Sequence, residues 1–518
     1  MKRGRCHVIQ DNGRDLFNYS SIDRTRTMRP LSESTSAEPL GRTDFLFIFA
    51  GMALATALGM FLLGRHSIWV DEAESIYRCL GLHRMLRSMI FEGNMWFYYT
   101  LLHGWLVLGE SEVAVRSLSV LFAVLTVPAV YGLGRLLFGS ATARIAVLIL
   151  PVNAFFIHYA QEARSYSLLI LLSALSSYFF IACLRHPTGR FRLGYIAVGA
   201  ASVYAHLFAV LTLFSQAASL VLAKTAWKRW RWWLLAWGAI ALLIAPLPIL
   251  HIRAGRAAAI GWIPRPDLAA LADLALQLAG NRSVLLAAYF CLCLFALGYM
   301  GWNFKKKREV HLWPSAFILI WLLCPPIGTF VFSLLIKPVL IDRYLSACVI
   351  PLVLLVSFGL AGLPQGRVRI GAVAVLMVLS TSGLAAWYFE PQKEDWRGTV
   401  SSILEQARPG DAVVLYPYWT RRAFGYYLKR LDGTHNQLTI LNSSPFDRDK
   451  SPSARPMNAF LSNLPKQYSR VWLIISHTDL PRLGRDRKAR ISKAAMAAGY
   501  PRLKIEQFFQ IEVRLYAK

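Results

Sequence analysis

The stretch MWFYYTLLHGWLVLG, residues 95–109, decides how the chain is threaded. It is apolar throughout, yet it falls short of the roughly 20 residues that a helix needs to cross a bilayer core. Charge gives an independent test. If the stretch lies flat, Arg135 and Arg144, then Arg185, Arg190 and Arg192, then KTAWKRWR (224–231), KKKR (305–308), Arg367 and Arg369 all fall inside. If it crosses, every one of those loops moves outside, against the preference of Lys and Arg for the cytoplasmic face. The stretch is read as an interfacial helix.

Composition agrees with a membrane setting. The chain has 518 residues, 55% of them hydrophobic, and carries Lys+Arg 57 against Asp+Glu 29, a net charge of +28. Mean hydropathy is +0.41. In a soluble chain such charge would point to nucleic acid; here the basic residues lie between apolar blocks, as in loops that face anionic lipid, and no nucleic-acid partner is expected. Apolar runs centre on 44–64, 117–138, 143–160, 165–184, 193–206, 207–223, 232–250, 284–303, 312–336, 345–363 and 369–388. That makes about eleven spans at one per 20 residues. In the 193–223 stretch two short helices must turn around Ala205-His206.

The expected fold is a polytopic α-helical membrane protein with a small C-terminal α/β domain. A polar, Arg- and Ser-rich tail (1–43) shows no signal-peptide core and is placed in the cytoplasm, with Met28 as a second possible start. The threading sets 64–116, 161–164, 251–283, 337–344 and everything after about 389 on the exterior face. Residues 44–388 form the membrane domain and 389–518 the exterior one, where DAVVLYP, QLTIL and RVWLIIS alternate with helix-like stretches. No glycine-rich phosphate loop follows the first strand, so no nucleotide site is read there. The seven cysteines lie mostly in apolar spans and imply no disulfide framework.

Three exterior segments carry chemistry. HSIWVDEAESIYRCL (66–80) supplies Asp71 and Glu72 beside Trp69 and Tyr77; HYAQEARSYS (158–167) supplies Glu162, Arg164 and Tyr166; KPVLIDRYLS (337–346) supplies Lys337, Asp342, Arg343 and Tyr344. Ionisable residues gathered at a membrane boundary are often functional. A lone acid after a span is ordinarily solvated, and Glu74 and Asp342 are read that way; Lys337 stands between the two readings. Trp96, Phe97, Tyr98 and Tyr99 read as an interfacial belt. His103, on the same helix, has no Cys or second His at a metal-template spacing.

A sugar on a polyprenyl phosphate carries a leaving group that departs without a proton. Guanidinium suits that phosphate through its planar fork, and the attacking hydroxyl needs one carboxylate as base. The candidates are therefore Asp71, Glu72 and Glu162 as catalytic acids and bases, and Arg164, Arg343 and Lys337 for the donor phosphate. Trp69, Tyr77, His103, Tyr166 and Tyr344 would line the pocket. A flippase would need ionisable or broken helices near the midplane, and the mid-span positions are almost all apolar. A non-catalytic scaffold would have no use for acids aimed at the boundary.

WVDEAESIYR, YYTLLHGWLVLGESEVAVRSLSVLFAVLTVPAVYGLGRLLFG, YAQEARSYSLLILLSAL, DRYL and KEDWRGTVSSILEQARPGDAVVLYP together resemble bacterial glycosyltransferases of family 39 type. These are relatives of protein O-mannosyltransferases and of the lipid A aminoarabinose transferase in the GT-C superfamily. The resemblance runs from about residue 44 to 430; each motif alone is weak, and their order carries it. It implies an inner-membrane enzyme, its active site periplasmic, that takes a sugar from a polyprenyl-phosphate donor with inversion. The acceptor would be a hydroxyl on a glycan, a lipid such as lipid A, or a protein, met among membrane lipids. The resemblance gives Asp71 the role of base, with Glu72 in the same motif, puts Glu162 and Arg164 on a second exterior loop, and brings Arg343 near the donor phosphate. Many relatives carry a His-Pro-Pro run where this chain reads GNMWFYY, a departure on the acceptor side. Some members of the superfamily use a divalent metal ion, for which no ligand cluster is legible here.

Overall fold

In lipid every backbone N–H and C=O must be satisfied within the protein, so long apolar runs become helices. The computed structural model describes residues 39–518 apart from 93, 224–228, 254–262, 306–311, 365, 433–437, 443–454, 478–489, 491 and 495. The tail to residue 38 with Met28, and most of KTAWKRWR and KKKR, lie outside the described residues. After α1 (Arg42–Met60) come three short helices, α2 (Val70–Cys79), α3 (Leu82–Glu92) and α4 (Trp96–Trp105). Then follow α5 (Glu112–Phe138), α6 (Ser140–Val152), α7 (Ala154–Ala160), α8 (Tyr166–Arg185), α9 (Gly189–Ala205) and α10 (Ala209–Leu220). The rest of the helical part is α11 (Trp230–Ile244), α12 (Pro246–Arg253), α13 (Leu268–Leu278), α14 (Ser283–Lys305) and α15 (Leu312–Leu335). It closes with the 3-10 turn Asp342–Cys348 leading into α16 (Val349–Gly362), and with α17 (Arg367–Phe389).

Among the described residues eight helices are long and apolar enough to cross a membrane, or nine if the bent pair α6–α7 counts as one. The remaining two of the eleven expected spans are α9 and α10, with 17 and 12 residues, too short to meet the same criterion. The α6–α7 bend of 64° has a local cause at Asn153. Its side chain accepts from Phe156 N–H and donates to the Leu278 carbonyl, which starts a new helix where the old one would continue. The ten residues of α4 span about 15 Å, half of a hydrocarbon core of about 30 Å. No helix within 95–109 is long enough to count among the candidate spans of the described residues.

The C-terminal layer comprises α18 (Trp396–Gln406), β1 (Asp411–Tyr416), α19 (Arg421–Leu431), β2 (Leu438–Ile440), α20 (Arg455–Gln467), β3 (Arg470–Ser476), β4 (Arg502–Phe508) and β5 (Ile511–Ala517). The sheet order is β2-β1-β3-β5-β4. The three strands legible in the sequence form its parallel part, and β4–β5 is an antiparallel hairpin added at one edge. Ile68, just ahead of α2, and Val70, Ala73 and Ile76 within it share one apolar core with Trp396, Val400, Phe424 and Tyr427. The layer is thus packed directly onto the segment between α1 and α3.

Candidate active site

The N-terminal turn of α2 holds both acids of the first motif. Neighbours on a helix point about 100° apart, and the two carboxylates enter different surroundings. Glu72 is fully buried. Its Oε1 accepts from Arg116 Nε and Ala163 N–H, both at 2.8 Å. Its Oε2 accepts from Arg116 Nη2 at 2.7 Å and Trp69 N–H at 3.4 Å, with Lys393 Nζ 3.2 Å away. Burial alone would raise this carboxyl, but Arg116, Lys393 and these hydrogen bonds bring it down to about 2. All its acceptor capacity is committed. Arg116 in turn donates to the carbonyls of Leu63, His66 and Ser67, which ties the chain ahead of α2 to the same knot. The expectation that Glu72 takes part in proton transfer gives way here to an ion pair that fixes the loop.

Asp71 faces the other way and is about one-third exposed. Its Oδ2 lies 3.9 Å from Arg164 Nη2 and 3.8 Å from Arg343 Nη1. Arg164 is anchored from behind, donating to Ser75 Oγ at 3.0 Å, one helical turn after Asp71. The Arg343 guanidinium stands 5.6 Å from the Trp69 ring and 5.9 Å from the Tyr344 ring. Tyr166 lies 6.0 Å from the Arg164 guanidinium, its Oη buried and without a partner. Glu162 is also buried; its Oε2 is 3.7 Å from His158 Nε2 and its Oε1 has no hydrogen bond. Burial lifts its carboxyl to about 7, with the Glu72 charge adding and Lys393 offsetting in part. The structure therefore gathers Trp69, Asp71, Glu162, Arg164, Tyr166, Arg343 and Tyr344 around one site, with Glu72 directly behind.

Other expectations are corrected. Tyr77 is stacked between Arg422 at 3.2 Å and Arg84 at 4.2 Å, on the side of α2 that meets α19, because six residues at about 100° each turn it about 120° away from the Asp71 face. Glu74 is no merely solvated acid; it pairs with Arg78 and Arg422 at the same junction. His103 uses Nδ1 to hold the Cys79 carbonyl at 2.7 Å, fastening α4 to the end of α2 rather than lining the pocket. Asp342 accepts from Tyr159 Oη at 3.0 Å, so it too is engaged. Lys337 N–H closes the end of α15 on the Phe332 carbonyl, and its side chain joins no ion pair with these acids among the described residues.

Four polar residues of the site were missed. Arg116 lies near the start of the otherwise apolar helix α5, whose other arginine, Arg135, sits in its last turn; an arginine in such a run is a signal that could have flagged it. Lys393 stands just after the last span and reaches back to Glu72 and to the Gln161 carbonyl; burial depresses its pKa, with Glu72 pulling the other way. His158, one helical turn before Glu162, is stacked 4.1 Å from the Trp387 ring. His206, at the turn between α9 and α10, gave no signal beyond its position. No three His, Cys, Asp or Glu side chains are grouped to hold a metal ion among the described residues.

Residues 95–250 match the family described as dolichyl-phosphate-mannose-protein mannosyltransferase. No curated protein matches the sequence. ArnT from Cupriavidus metallidurans in the apo state aligns with TM-score 0.61 and 12% identity, over 91% of this chain and 97% of that one. ArnT from the same organism bound to undecaprenyl phosphate gives 0.59 and 12%, over 92% and 98%. The archaeal oligosaccharyltransferase AglB from Archaeoglobus fulgidus, in complex with an inhibitory peptide and a dolichol-phosphate, gives 0.51 and 10%, over 83% and 69%. Likeness at this identity establishes the fold, which is the GT-C membrane fold with a small C-terminal sheet layer.

Proposed function

We propose that the protein is an integral-membrane glycosyltransferase that moves a monosaccharide from a polyprenyl-phosphate carrier to a hydroxyl acceptor on the periplasmic face of a bacterial inner membrane. The observation that carries this reading is the partly exposed Asp71 carboxylate set 3.9 Å and 3.8 Å from two largely buried arginine forks. Undecaprenyl phosphate in ArnT and dolichol-phosphate in AglB support a lipid phosphate as the ligand of those forks. Residues 44–388 would be the catalytic membrane domain and 389–518 a periplasmic layer over its exterior face.

In this reading Arg164 and Arg343 hold the donor phosphate, which leaves as the bond from the anomeric carbon to its oxygen breaks. Two guanidiniums offset the charge that builds on that oxygen, so no acid is needed. Asp71 takes the proton of the acceptor hydroxyl as its oxygen attacks from the opposite face, which inverts the centre. Glu72, Arg116 and Lys393 fix the turn that presents Asp71. Glu162, close to half-protonated at neutral pH, is a second acid able to hydrogen-bond a sugar hydroxyl.

The test separates transfer from binding. Asp71→Asn keeps the shape and removes the base; it should lower turnover by about 10²–10⁴-fold while leaving affinity for a polyprenyl phosphate near wild type. Arg164→Lys should weaken that affinity, because an ammonium cannot reproduce the fork. Wild-type turnover by Asp71→Asn would remove Asp71 from the role. Mass spectrometry of lipids and glycans from a deletion strain would then name the sugar and the acceptor.

A further inference from the structure

His206 stands where the backbone leaves α9 and enters α10. The turn is pinned to the first exterior loop, since Leu207 N–H donates to Asn94 Oδ1 at 3.2 Å. The imidazole is 1% exposed. Its Nδ1 accepts from Phe208 N–H at 3.3 Å, which assigns the ring proton to Nε2. That Nε2 has no partner. A buried N–H with nothing to bond is costly, and native chains rarely keep one without a ligand or water to receive it.

The surroundings narrow the ligand. The imidazole is tilted against the rings of Tyr344 at 5.2 Å and Tyr166 at 5.8 Å. Those two tyrosines flank Arg343 and Arg164, the two charges that act on His206. The same site holds other buried hydrogen-bonding groups with no partner, namely Trp69 Nε1, Arg164 Nε and Tyr166 Oη. Donors gathered in excess call for a ligand rich in acceptors and negative charge. With its proton on Nε2 the ring offers no base there. It offers a directional donor that adds no third repelling cation beside the arginines.

We infer that His206 donates its Nε2–H to a phosphate oxygen of the lipid-linked donor, as a neutral third contact beside Arg164 and Arg343. This rests on the donor-phosphate site proposed above. The test uses the full-length protein purified in detergent and two probes, a polyprenyl monophosphate and the polyprenol of the same chain length. His206→Phe keeps a ring without the donor, and His206→Leu removes the donor without asking the pocket to accept a larger ring. Each should weaken polyprenyl-phosphate binding about tenfold and leave polyprenol binding unchanged. His206→Gln, whose amide can place an N–H near Nε2, should recover most of the loss. Equal losses for both probes would make His206 a packing residue and overturn the inference. Wild-type phosphate affinity in either the Phe or the Leu variant, with Arg164→Lys weakened, would overturn it while leaving the proposed function standing. If Arg164→Lys also bound like wild type, the phosphate site itself would fall.

Discussion

Asp71 and Glu72 are neighbours of nearly the same chemistry, and one helical step separates a carboxylate open to solvent from one locked in a buried ion pair. Removing the charge of Glu72 would strand Arg116 in the interior. Glu72→Gln should therefore cost about 3–5 kcal/mol of stability, read as a lower unfolding temperature in detergent, with polyprenyl-phosphate affinity in the surviving folded fraction largely kept. Pairing it with Arg116→Met should restore part of the loss; a strictly additive double variant would show that the pair does not act as a unit. The two buried acids also predict opposite pH responses. Glu72, held near 2 against an ordinary 4.5, contributes stability above pH 4.5 that is lost as pH falls toward 2. Glu162, raised to about 7 from the same ordinary value, favours the fold most below pH 4.5, and that contribution fades as pH rises through 7. Wild type should lose unfolding temperature relative to Glu162→Gln between pH 5 and 8, and parallel curves would mean that Glu162 does not titrate there. Sequence could name these acids, because motif order and the exterior threading point to them. It could not say which one Arg116 would claim, since that partner lies 44 positions away.

Helix packing makes its own demands where two backbones meet without a side chain between them. On α17 a Cβ added at Gly383 would sit 2.5 Å from the Gly280 carbonyl oxygen and 3.2 Å from Ala154, the first residue of α7. Gly371, on the same helix, has nothing within 4 Å of such an atom. Gly383→Ala should destabilise by about 1–3 kcal/mol and, by shifting α7, disturb the segment that leads to Glu162. Gly371→Ala should be neutral or slightly stabilising, because it removes only backbone freedom in a helix. Thermal unfolding of the two variants side by side checks this, and equal behaviour would refute the close approach. Elements of this kind were legible in proportion to how far composition alone decides them. The long spans follow from uniform apolar runs, and α4 follows from being too short. The break at Asn153 did not, because a single side chain capping a new helix leaves the hydropathy profile unchanged. The β4–β5 hairpin was missed for the converse reason: β4 reads RLKIEQF and lies largely exposed at a sheet edge, so it lacks the continuous apolar signal of β1 and β3.

For the whole molecule, basic residues in the connecting loops predict the orientation by their preference for the cytoplasmic face. An alkaline phosphatase fusion after Lys518 should be active, and one between Lys305 and Arg308 inactive, with the reverse at either site overturning the threading. What the loops could not disclose is how the C-terminal layer joins the rest. Its hydrogen bonds to the segment between α1 and α5 and to the start of α5 link residues 285 or more positions apart, a separation that no local pattern records. Ile68 N–H donates to Tyr427 Oη at 2.7 Å, and Tyr427 Oη donates to Glu112 Oε1 at 2.9 Å. Arg397 donates to the Gly64 carbonyl and to Glu112, while Lys393 reaches Glu72 from the segment that connects α17 to the layer. Each contact lands on the loop or helix end that holds α2 in place, and the apolar core of the layer is completed by α2 itself. Truncation after Phe389 should then do more than remove an appendage. It should expose Ile68, Val70 and Ile76, take the Lys393 charge from Glu72, and release the turn that carries Asp71. The expected outcome is loss of transfer together with faster proteolysis within residues 64–80, while the long helices remain inserted. A truncated protein that kept wild-type transfer and an intact 64–80 segment would show that the membrane part builds its site alone.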